Sequence, residues 1–311
     1  MGARDPRAPQ LKFPRTPPIV LVSMWYHRLV RHGCAFLLIL LFAGLLGATL
    51  ARFAPGFGSD ESQLDARLSG ESIQAIRQVR EADRNLFHFY AGYLGGLLKG
   101  DLGVSRSLAR PVRELLAERI PRTAKAVAAG LALGWLAGLT LAALVAVARS
   151  PLLDLAATIG TGVVLCLPVA VLALLFLYLD GPVPLALALV ILPRVYRYIR
   201  NLLRQAYGMP HVLMAYAKGL GECRVLLWHV CPAVRAPVLS LAGVSVSMAL
   251  GAAIPIEVIC DSPGIGQLAW QAALGRDLPL LVNLTALVTA VTLLANSFAD
   301  LANASWEGAR Q

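Results

Sequence analysis

Long apolar runs constrain the fold of this chain more than any other feature of its sequence. Runs of about 20 mainly apolar residues, the length that a helix needs to cross hydrocarbon, recur along it. They lie at 33–50, 124–148, 155–179, 238–256 and 278–301. Of all residues, 57% are hydrophobic and 15% are charged, whereas soluble domains carry about a quarter of charged residues. Since membrane-spanning backbone must satisfy its own hydrogen bonds, the sequence predicts an all-α membrane protein.

A further crossing is predicted less simply. After the turn at 180–182, only about ten apolar residues precede Pro193 and Arg194, half of what a straight helix needs. Two alternatives stay open: the helix continues through Pro193 to Ile199 with Arg194 and Arg197 buried against protein, or this region is shortened and defective. With it, the sequence predicts about six transmembrane helices. In the third span, Pro168 predicts a kink.

The segments around these runs predict how the chain is organised. Residues 1–32 are rich in proline and arginine and predict a cytoplasmic tail with an interfacial helix, followed by the first transmembrane helix at 33–51. A cleavable signal peptide is disfavoured, because about 30 residues of charged tail exceed its usual amino-terminal region. Residues 52–123 predict an external segment with an amphipathic helix. Residues 124–303 predict a core of five transmembrane helices, and 304–311 a second cytoplasmic tail.

Small residues recur at four-residue spacing in the second and fifth spans. Residues at this spacing share one helix face, so they form a smooth stripe that lets another helix approach its backbone closely. The candidate packing residues are Gly130, Gly134 and Gly138 in the second span and Gly243, Ser247 and Gly251 in the fifth.

Polar residues lie within the last span, where lipid would disfavour them. Such side chains either bond to neighbouring helices or line a water-filled path, and both alternatives stay open. The candidate path-lining residues are Asn283, Thr285, Thr289 and Asn296.

A polar, basic loop at about 201–237 separates the fourth and fifth spans. No acid occurs from Tyr196 until Glu222, while arginines are frequent. Loops this basic beside apolar spans lie on the cytoplasmic side of a membrane. Inside the loop, the sequence predicts a short helix that stops at Gly219 or Gly221 and a second helix that starts at Glu222.

Charge and motifs exclude several classes of function. The formal net charge of +10 is of the kind that nucleic-acid-binding proteins carry, but the basic residues lie beside apolar spans, where they orient the chain. We therefore expect no nucleic-acid partner. The chain has no phosphate-binding G-x-x-x-x-G-K-[ST] loop and no H-E-x-x-H metal motif. Its five cysteines have no C-x-x-C spacing, so no metal site is predicted. We expect no catalysis in this chain.

Four motifs follow one another in order between the apolar runs. They are Gly100-Asp101-Leu102-Gly103-Val104-Ser105, Ala215-Tyr216-Ala217-Lys218-Gly219-Leu220, Glu257 with Pro263-Gly264-Ile265-Gly266, and Arg276-Asp277-Leu278-Pro279. In this order they resemble the permeases of ABC importers, specifically the dipeptide, oligopeptide and nickel branch. The resemblance implies the type I ABC importer permease fold. It identifies the first, third and fourth motifs as external family motifs, with Gly100, Asp101, Gly103, Glu257, Pro263, Gly264, Gly266 and Asp277 as their candidate residues.

The resemblance also implies a mechanism and partners. A separate ATPase subunit would hold the short helix in a groove, and its closure would drive alternating access. A homologous second permease, two ATPase subunits and an external substrate-binding protein would complete the importer. ATP and Mg would lie on the ATPase subunits, and this chain would bind no cofactor. The candidate coupling residues are Met214, Ala215, Ala217, Lys218, Gly219 and Leu220.

The expected function is that of a permease subunit in a bacterial inner membrane, multi-pass, with both termini cytoplasmic. The expected substrates are di- or oligopeptides, and import of nickel or another small solute is the alternative. A degenerate, non-transporting permease partner also stays open, because the fourth span is short. A secondary transporter is disfavoured, since the acids Asp154, Asp180, Glu257 and Asp300 all lie near span ends.

Overall fold

The computed structural model describes residues 100–308, except the side chains of 304–308, and isolated earlier positions (38–39, 42, 49, 93 and 95–97). The predicted tail 1–32, most of the first span at 33–51 and most of the external segment before residue 100 lie outside the described residues. The helices below belong to one compact unit of the chain.

Helices make up almost all of the described part. Its elements in chain order are α1 (Val112–Ala148), α2 (Pro151–Cys166), α3 (Val169–Tyr178), α4 (Val183–Tyr207), α5 (Pro210–Ala217), α6 (Glu222–Val225), a π-helical turn (Leu226–Val230), α7 (Cys231–Ile259), α8 (Ile265–Leu274) and α9 (Leu278–Gly308). Among the described residues the β-type pairing is one isolated bridge between Val104 and Pro111. The prediction of an all-α membrane fold is confirmed.

Three described helical segments are long and apolar enough to cross a membrane. These are α1, the continuous stretch Glu222–Ile259 and the part of α9 from Leu278 to Asn303, and the bent pair α2–α3 makes a fourth if it counts as one span. The remaining two predicted crossings are the first span, mostly outside the described residues, and α4, whose arginines lower its hydropathy.

Helix α4 decides between the two alternatives for the fourth span. It runs unbroken through Pro193 for 25 residues, about 37 Å at 1.5 Å per residue, which is enough to cross hydrocarbon. Arg197 is half-buried and its Nη2 donates to the Thr158 carbonyl of α2 at 3.2 Å. Arg194 is exposed, so the first alternative holds for the continued helix and for the half-buried Arg197 but not for Arg194. Within the described residues, Arg194 lies on an exposed side of α4.

The third span is broken where a kink was predicted. Helices α2 and α3 meet at an angle of 94°. Leu167 has an extended backbone between them, as the residue before a proline prefers, and Pro168 caps α3. The position of the bend was predicted correctly. The bend is sharper than a kink, so the two helices form either one broken span or a re-entrant pair.

Helices α1 and α4 pack closely and run parallel. A Cβ built on Gly130 would lie 2.6 Å from Leu187 Cβ, and one on Gly134 would lie 2.9 Å from Ile191 Cβ. Gly138 meets Val195 in the same way, at 2.8 Å. Because each pair is four residues further along both helices, the register stays constant over two turns.

The small residues of α7 behave differently along its length. A Cβ on Gly243 would lie 3.1 Å from Ala299 Cβ of α9, so the helices are close there. Nothing lies within 4 Å of a Cβ on Gly251, which is exposed, so the expected packing role of Gly251 is wrong for the described residues. At this end α7 contacts α8 through Ala253 and Ile254, a face that does not include Gly251.

Candidate functional site

The basic loop folds as a short helix, a turn and a second helix. Helix α5 ends at Ala217, and Gly219 adopts a φ of 75°, a left-handed conformation that favours glycine. Its N–H donates to the Tyr216 carbonyl at 2.8 Å, and the next N–H, that of Leu220, donates to the Ala215 carbonyl at 3.3 Å. Helix α6 then begins at Glu222. The predicted helix, its stop at Gly219 and the restart at Glu222 are therefore present.

Helix α5 presents one face to the bundle and one to the outside. Val212 and Ala215 are buried in the main apolar core, whereas Met214 is 62% exposed. Ala217, Lys218 and Gly219 are exposed as well, and Leu220 is half-buried. Ala215 therefore faces the bundle, and its small side chain seats α5 on the core. Of the candidate coupling residues, Met214, Ala217, Lys218 and Gly219 are the ones that another protein can reach.

Exposed apolar side chains continue from α5 onto the π-helical turn. The two segments meet where His211 Nε2 lies 3.2 Å from the His229 carbonyl oxygen. Trp228 is 75% exposed. We call the following exposed set the loop patch: Met209, Leu213, Met214, Leu227 and Trp228. Contact of these apolar side chains with water is unfavourable, and exposed patches of this kind mark sites that contact another protein or a membrane.

A polar cluster ties the basic loop to the end of α1. Arg149, which follows α1, forms an ion pair with Glu222 at 2.7 Å and donates to the Tyr216 hydroxyl oxygen at 2.7 Å. That hydroxyl donates to Glu222 at 2.6 Å, and the guanidinium lies 5.1 Å from the Tyr216 ring centroid. Burial, and then the hydrogen bond to Glu222, raises the pKa of Tyr216. The Tyr216 hydroxyl therefore stays protonated and donates a hydrogen bond to the Glu222 carboxylate.

Nothing in the sequence predicted this cluster. Arg149 and Tyr216 are 67 residues apart, and nothing in the local pattern around either residue pairs them. A second ion-pair group at the same end joins α2 to α4, where Asp154 accepts from Arg200 and, at 2.8 Å, from Arg204. We call this side of the bundle, with α5, α6 and both groups, the basic-loop end.

The opposite side, which we call the Glu257 end, brings the external motifs together. The Glu257 carboxylate is buried and accepts from the Thr123 hydroxyl and from the Gly266 N–H, both at 2.6 Å. The Thr123 oxygen accepts from the Ile265 N–H at 2.7 Å. A Cβ on Gly264, in the turn after Pro263, would fall against the Glu257 carboxylate. Helices α1, α7 and α8 are thereby joined around one carboxylate.

A second buried carboxylate at this end is that of Asp277. It accepts from the Ser105 hydroxyl at 2.6 Å, and from the Ser107 hydroxyl and N–H at 2.9 and 3.0 Å. It also accepts from the Leu280 N–H at 3.2 Å. The segment before α1 is thus fastened to the start of α9. In that segment, Asp101 accepts from the Gly103 N–H at 2.9 Å.

The polar residues of α9 mostly bond to protein. Asn283 is buried and donates to the carbonyls of Leu102 and Pro279 at 3.0 and 2.7 Å. The Thr285 hydroxyl donates to the Leu281 carbonyl at 2.8 Å. Of the two open alternatives, bonding to another part of the protein therefore holds for Asn283, whereas the Thr285 hydroxyl bonds within its own helix and both alternatives stay open for it. Thr289 and Asn296 are half-buried.

Comparison with known proteins gives the chain its family. The family described as "Binding-protein-dependent transport system inner membrane component" matches residues 119–307. This range includes α5, the loop patch and the Glu257 cluster.

Individual relatives support the same family assignment. A putative peptide permease protein of Brucella suis biovar 1 is 30% identical over 75% of this chain and 82% of its own length. A probable peptide ABC transporter permease protein of Sinorhizobium fredii is 23% identical over 88% of this chain and 96% of its own length. A glutathione transport system permease protein of Escherichia coli O6:H1 is 25% identical over 85% of this chain and 89% of its own length. The chain belongs to the family of inner-membrane components of binding-protein-dependent transport systems, as a permease subunit of an ABC importer that is not itself an enzyme.

Proposed function

We propose that this permease imports short peptides by alternating access, driven by a separate ATPase subunit that docks on α5 and the loop patch. The observation that carries the proposal is the exposed apolar surface formed by Met214 on α5, a short helix whose other face is buried in the core, and by Trp228 on the adjoining π-helical turn. The names of the relatives, peptide and glutathione permeases, support a peptide substrate. Nickel or another small solute remains the alternative substrate.

The proposed assembly contains this chain, a homologous second permease, two ATPase subunits and an external binding protein. ATP and Mg are held by the ATPase subunits. The basic-loop end lies in the cytoplasm, together with both termini, and the Glu257 end lies outside. Exposed basic residues at the basic-loop end, such as Arg204 and Lys218, support this orientation because cytoplasmic loops are enriched in lysine and arginine. The membrane is the bacterial inner membrane.

The polar cluster of Arg149, Tyr216 and Glu222 supports the proposal that movement of α5 is transmitted to the end of α1. When the ATPase subunits close, α5 moves with them, and the cluster pulls the end of α1 in the same direction. Since α1 and α4 interlock at Gly134 and Gly138, the two helices shift as one body. Rigid-body rocking of packed helices is the motion that alternating access requires.

Met214→Glu tests the docking surface. The side chain is exposed, so the change leaves the core packing intact, but it places a charge in an apolar interface. The expected result is loss of the ATPase subunit on co-purification and a fall in peptide uptake of about ten-fold or more, with normal amounts of permease in the membrane. The matched control is Leu274→Glu at the other end of the bundle, where the leucine is 67% exposed. Retention of the ATPase by Met214→Glu would contradict the proposal.

A further inference from the structure

One face of α4 is polar and exposed along half of the helix. Its members follow each other at intervals of four, three and four residues, so they lie on one side of the helix. We call this set the α4 polar face: Arg194, Tyr198, Asn201 and Gln205. Tyr198 is 41% exposed, and the other three are exposed as well. A membrane-spanning helix with such a face cannot turn it to lipid without a large cost.

The remaining sides of α4 are covered by other helices. Ile191 and Val195 fit against the glycines of α1, and Arg197 reaches α2. Tyr196 is fully buried in the main core. The polar face is therefore the side of α4 that the rest of the described bundle leaves open.

The α4 polar face begins at half the depth of the bundle. Thr123 of α1 belongs to the Glu257 cluster and Arg149 to the cluster at the basic-loop end, so Leu136 lies midway between the two ends. The register of Gly138 with Val195 places Arg194 beside this midpoint. From there the polar face runs towards the basic-loop end.

Arg194 differs from the other arginines of α4 in its partners. Arg200 and Arg204 pair with Asp154, and Arg197 donates to a carbonyl of α2. Arg194 Nη1 donates to the Val190 carbonyl of its own helix at 3.1 Å. Among the described residues it forms no ion pair, and α4 contains no acid. A guanidinium is a cation, so it attracts an anionic group that enters an adjacent aqueous space.

We infer that the α4 polar face lines the water-filled path of the substrate and that Arg194 binds the carboxylate of the passing peptide. The inference rests on the proposed function, because peptide import supplies the carboxylate. Guanidinium and carboxylate match in shape and charge, with two parallel N–H···O bonds. Tyr198 and Asn201 add hydroxyl and amide groups for the peptide backbone on the way to the basic-loop end.

Cysteine labelling tests the water-filled path. Tyr198→Cys and Asn201→Cys are made in a transport-competent background whose native cysteines are serine, with the partner subunits present, and exposed to a charged thiol reagent on both sides of membrane vesicles. We expect both to react. The control is Leu144→Cys on α1, which the register of Gly138 with Val195 places level with Asn201 and which is 63% exposed; as an apolar position outside the polar face it should not react. Unreactive cysteines at 198 and 201 would overturn the inference, since lipid or a second permease subunit would then cover this face.

Transport of two matched peptides tests the anion site. Uptake of trialanine and of its carboxyl-terminal amide is measured for the complete importer with Arg194 and with Arg194→Gln. We expect Arg194→Gln to lower the ratio of acid to amide uptake about ten-fold or more, the effect of losing one charge-assisted pair. The Arg194→Lys variant, which keeps the charge, should recover part of that ratio. Any preference of the binding protein cancels, because it is the same in each importer.

The outcomes separate this inference from the proposed function. If the unmodified importer takes up neither peptide, the proposed function fails. If it takes up both and Arg194→Gln leaves the ratio unchanged, the anion site alone is refuted and peptide import stands. In that case ATPase activity stimulated by the binding protein remains normal in Arg194→Gln, which shows that the variant is folded and assembled.

Discussion

At the Glu257 end of the bundle, the two buried carboxylates accept hydrogen bonds from neutral donors, whereas at the basic-loop end the carboxylates of Glu222 and Asp154 pair with arginines. Glu257 and Asp277 are both buried and are surrounded by hydroxyl and backbone N–H groups. Glu222 and Asp154 instead meet Arg149, Arg200 and Arg204, and Arg149 and Arg204 are largely exposed.

The two ends therefore differ in how much free energy a change of contacts costs. A buried carboxylate that loses a donor has no water to replace it, so its cluster holds one arrangement. An exposed ion pair contributes little and water substitutes for either partner, so it can break and reform. In a permease that rocks between two states, the contacts of the Glu257 end suit a region that stays the same in both states. The contacts of the basic-loop end suit a region that rearranges between them.

The largest expected effect comes from filling the space beside Glu257. Gly264→Ala places a methyl group against the buried carboxylate and displaces it from Thr123 and Gly266. We expect a destabilisation of about 3 kcal/mol, from overpacking combined with broken hydrogen bonds. Thermal unfolding of the purified permease measures it.

Gly251→Ala is the matched control for this variant. It lies on the neighbouring helix with open space around it, so its expected effect on stability is small. Equal melting temperatures for the two variants would contradict the conclusion that the Glu257 cluster holds one arrangement, because the Glu257 end would then tolerate rearrangement.

The next largest effect concerns Asp277. Asp277→Asn replaces an acceptor oxygen with an NH2 group that faces the donors of Ser105 and Ser107. One or two buried donors lose their acceptor, at a cost of about 2 kcal/mol. Asp261→Asn is the control, since Asp261 is exposed and accepts from Gln267 at the surface. A fall in melting temperature for Asp261→Asn as large as that for Asp277→Asn would contradict the assigned roles.

The smallest effect on stability is expected at the basic-loop end. Arg149→Gln removes the partner of Glu222 and Tyr216, but the guanidinium is largely exposed, so the cost in stability stays below about 1 kcal/mol. Uptake should nevertheless fall several-fold, because the route from α5 to α1 is interrupted. ATPase activity and uptake measured together check this: hydrolysis continues while transport drops. Normal uptake by Arg149→Gln would show that the cluster does not transmit the movement of α5 to α1.

Much of the fold was predictable because it depends on local chemistry. Apolar runs predicted α1, α7 and α9, and Gly219 with Glu222 predicted where the helices of the basic loop stop and start. These features need only helix length, hydropathy and the backbone preference of glycine. The break between α2 and α3 was predicted in position but not in size. The size depends on what packs around Pro168.

The contacts of individual side chains were less predictable, because periodicity gives a face but not its neighbour. Small residues on α1 and α7 have the same spacing, yet Gly138 meets Val195 while Gly251 meets open space. The sequence left open whether Arg194 is buried, and it is exposed. Ala215 faces the core although it lies in the signature of the loop.

By itself, the sequence determined that this chain is a helical membrane protein with a basic helix-turn-helix between two spans, since hydropathy, charge and glycine conformation act over a few residues. Only the tertiary structure decided that Thr123, Glu257 and Gly266 form one cluster, that Arg149 reaches Tyr216 and Glu222, and that one side of α4 stays polar and open. Contacts between distant residues depend on how whole helices pack, and that packing is set by the summed shape of many side chains.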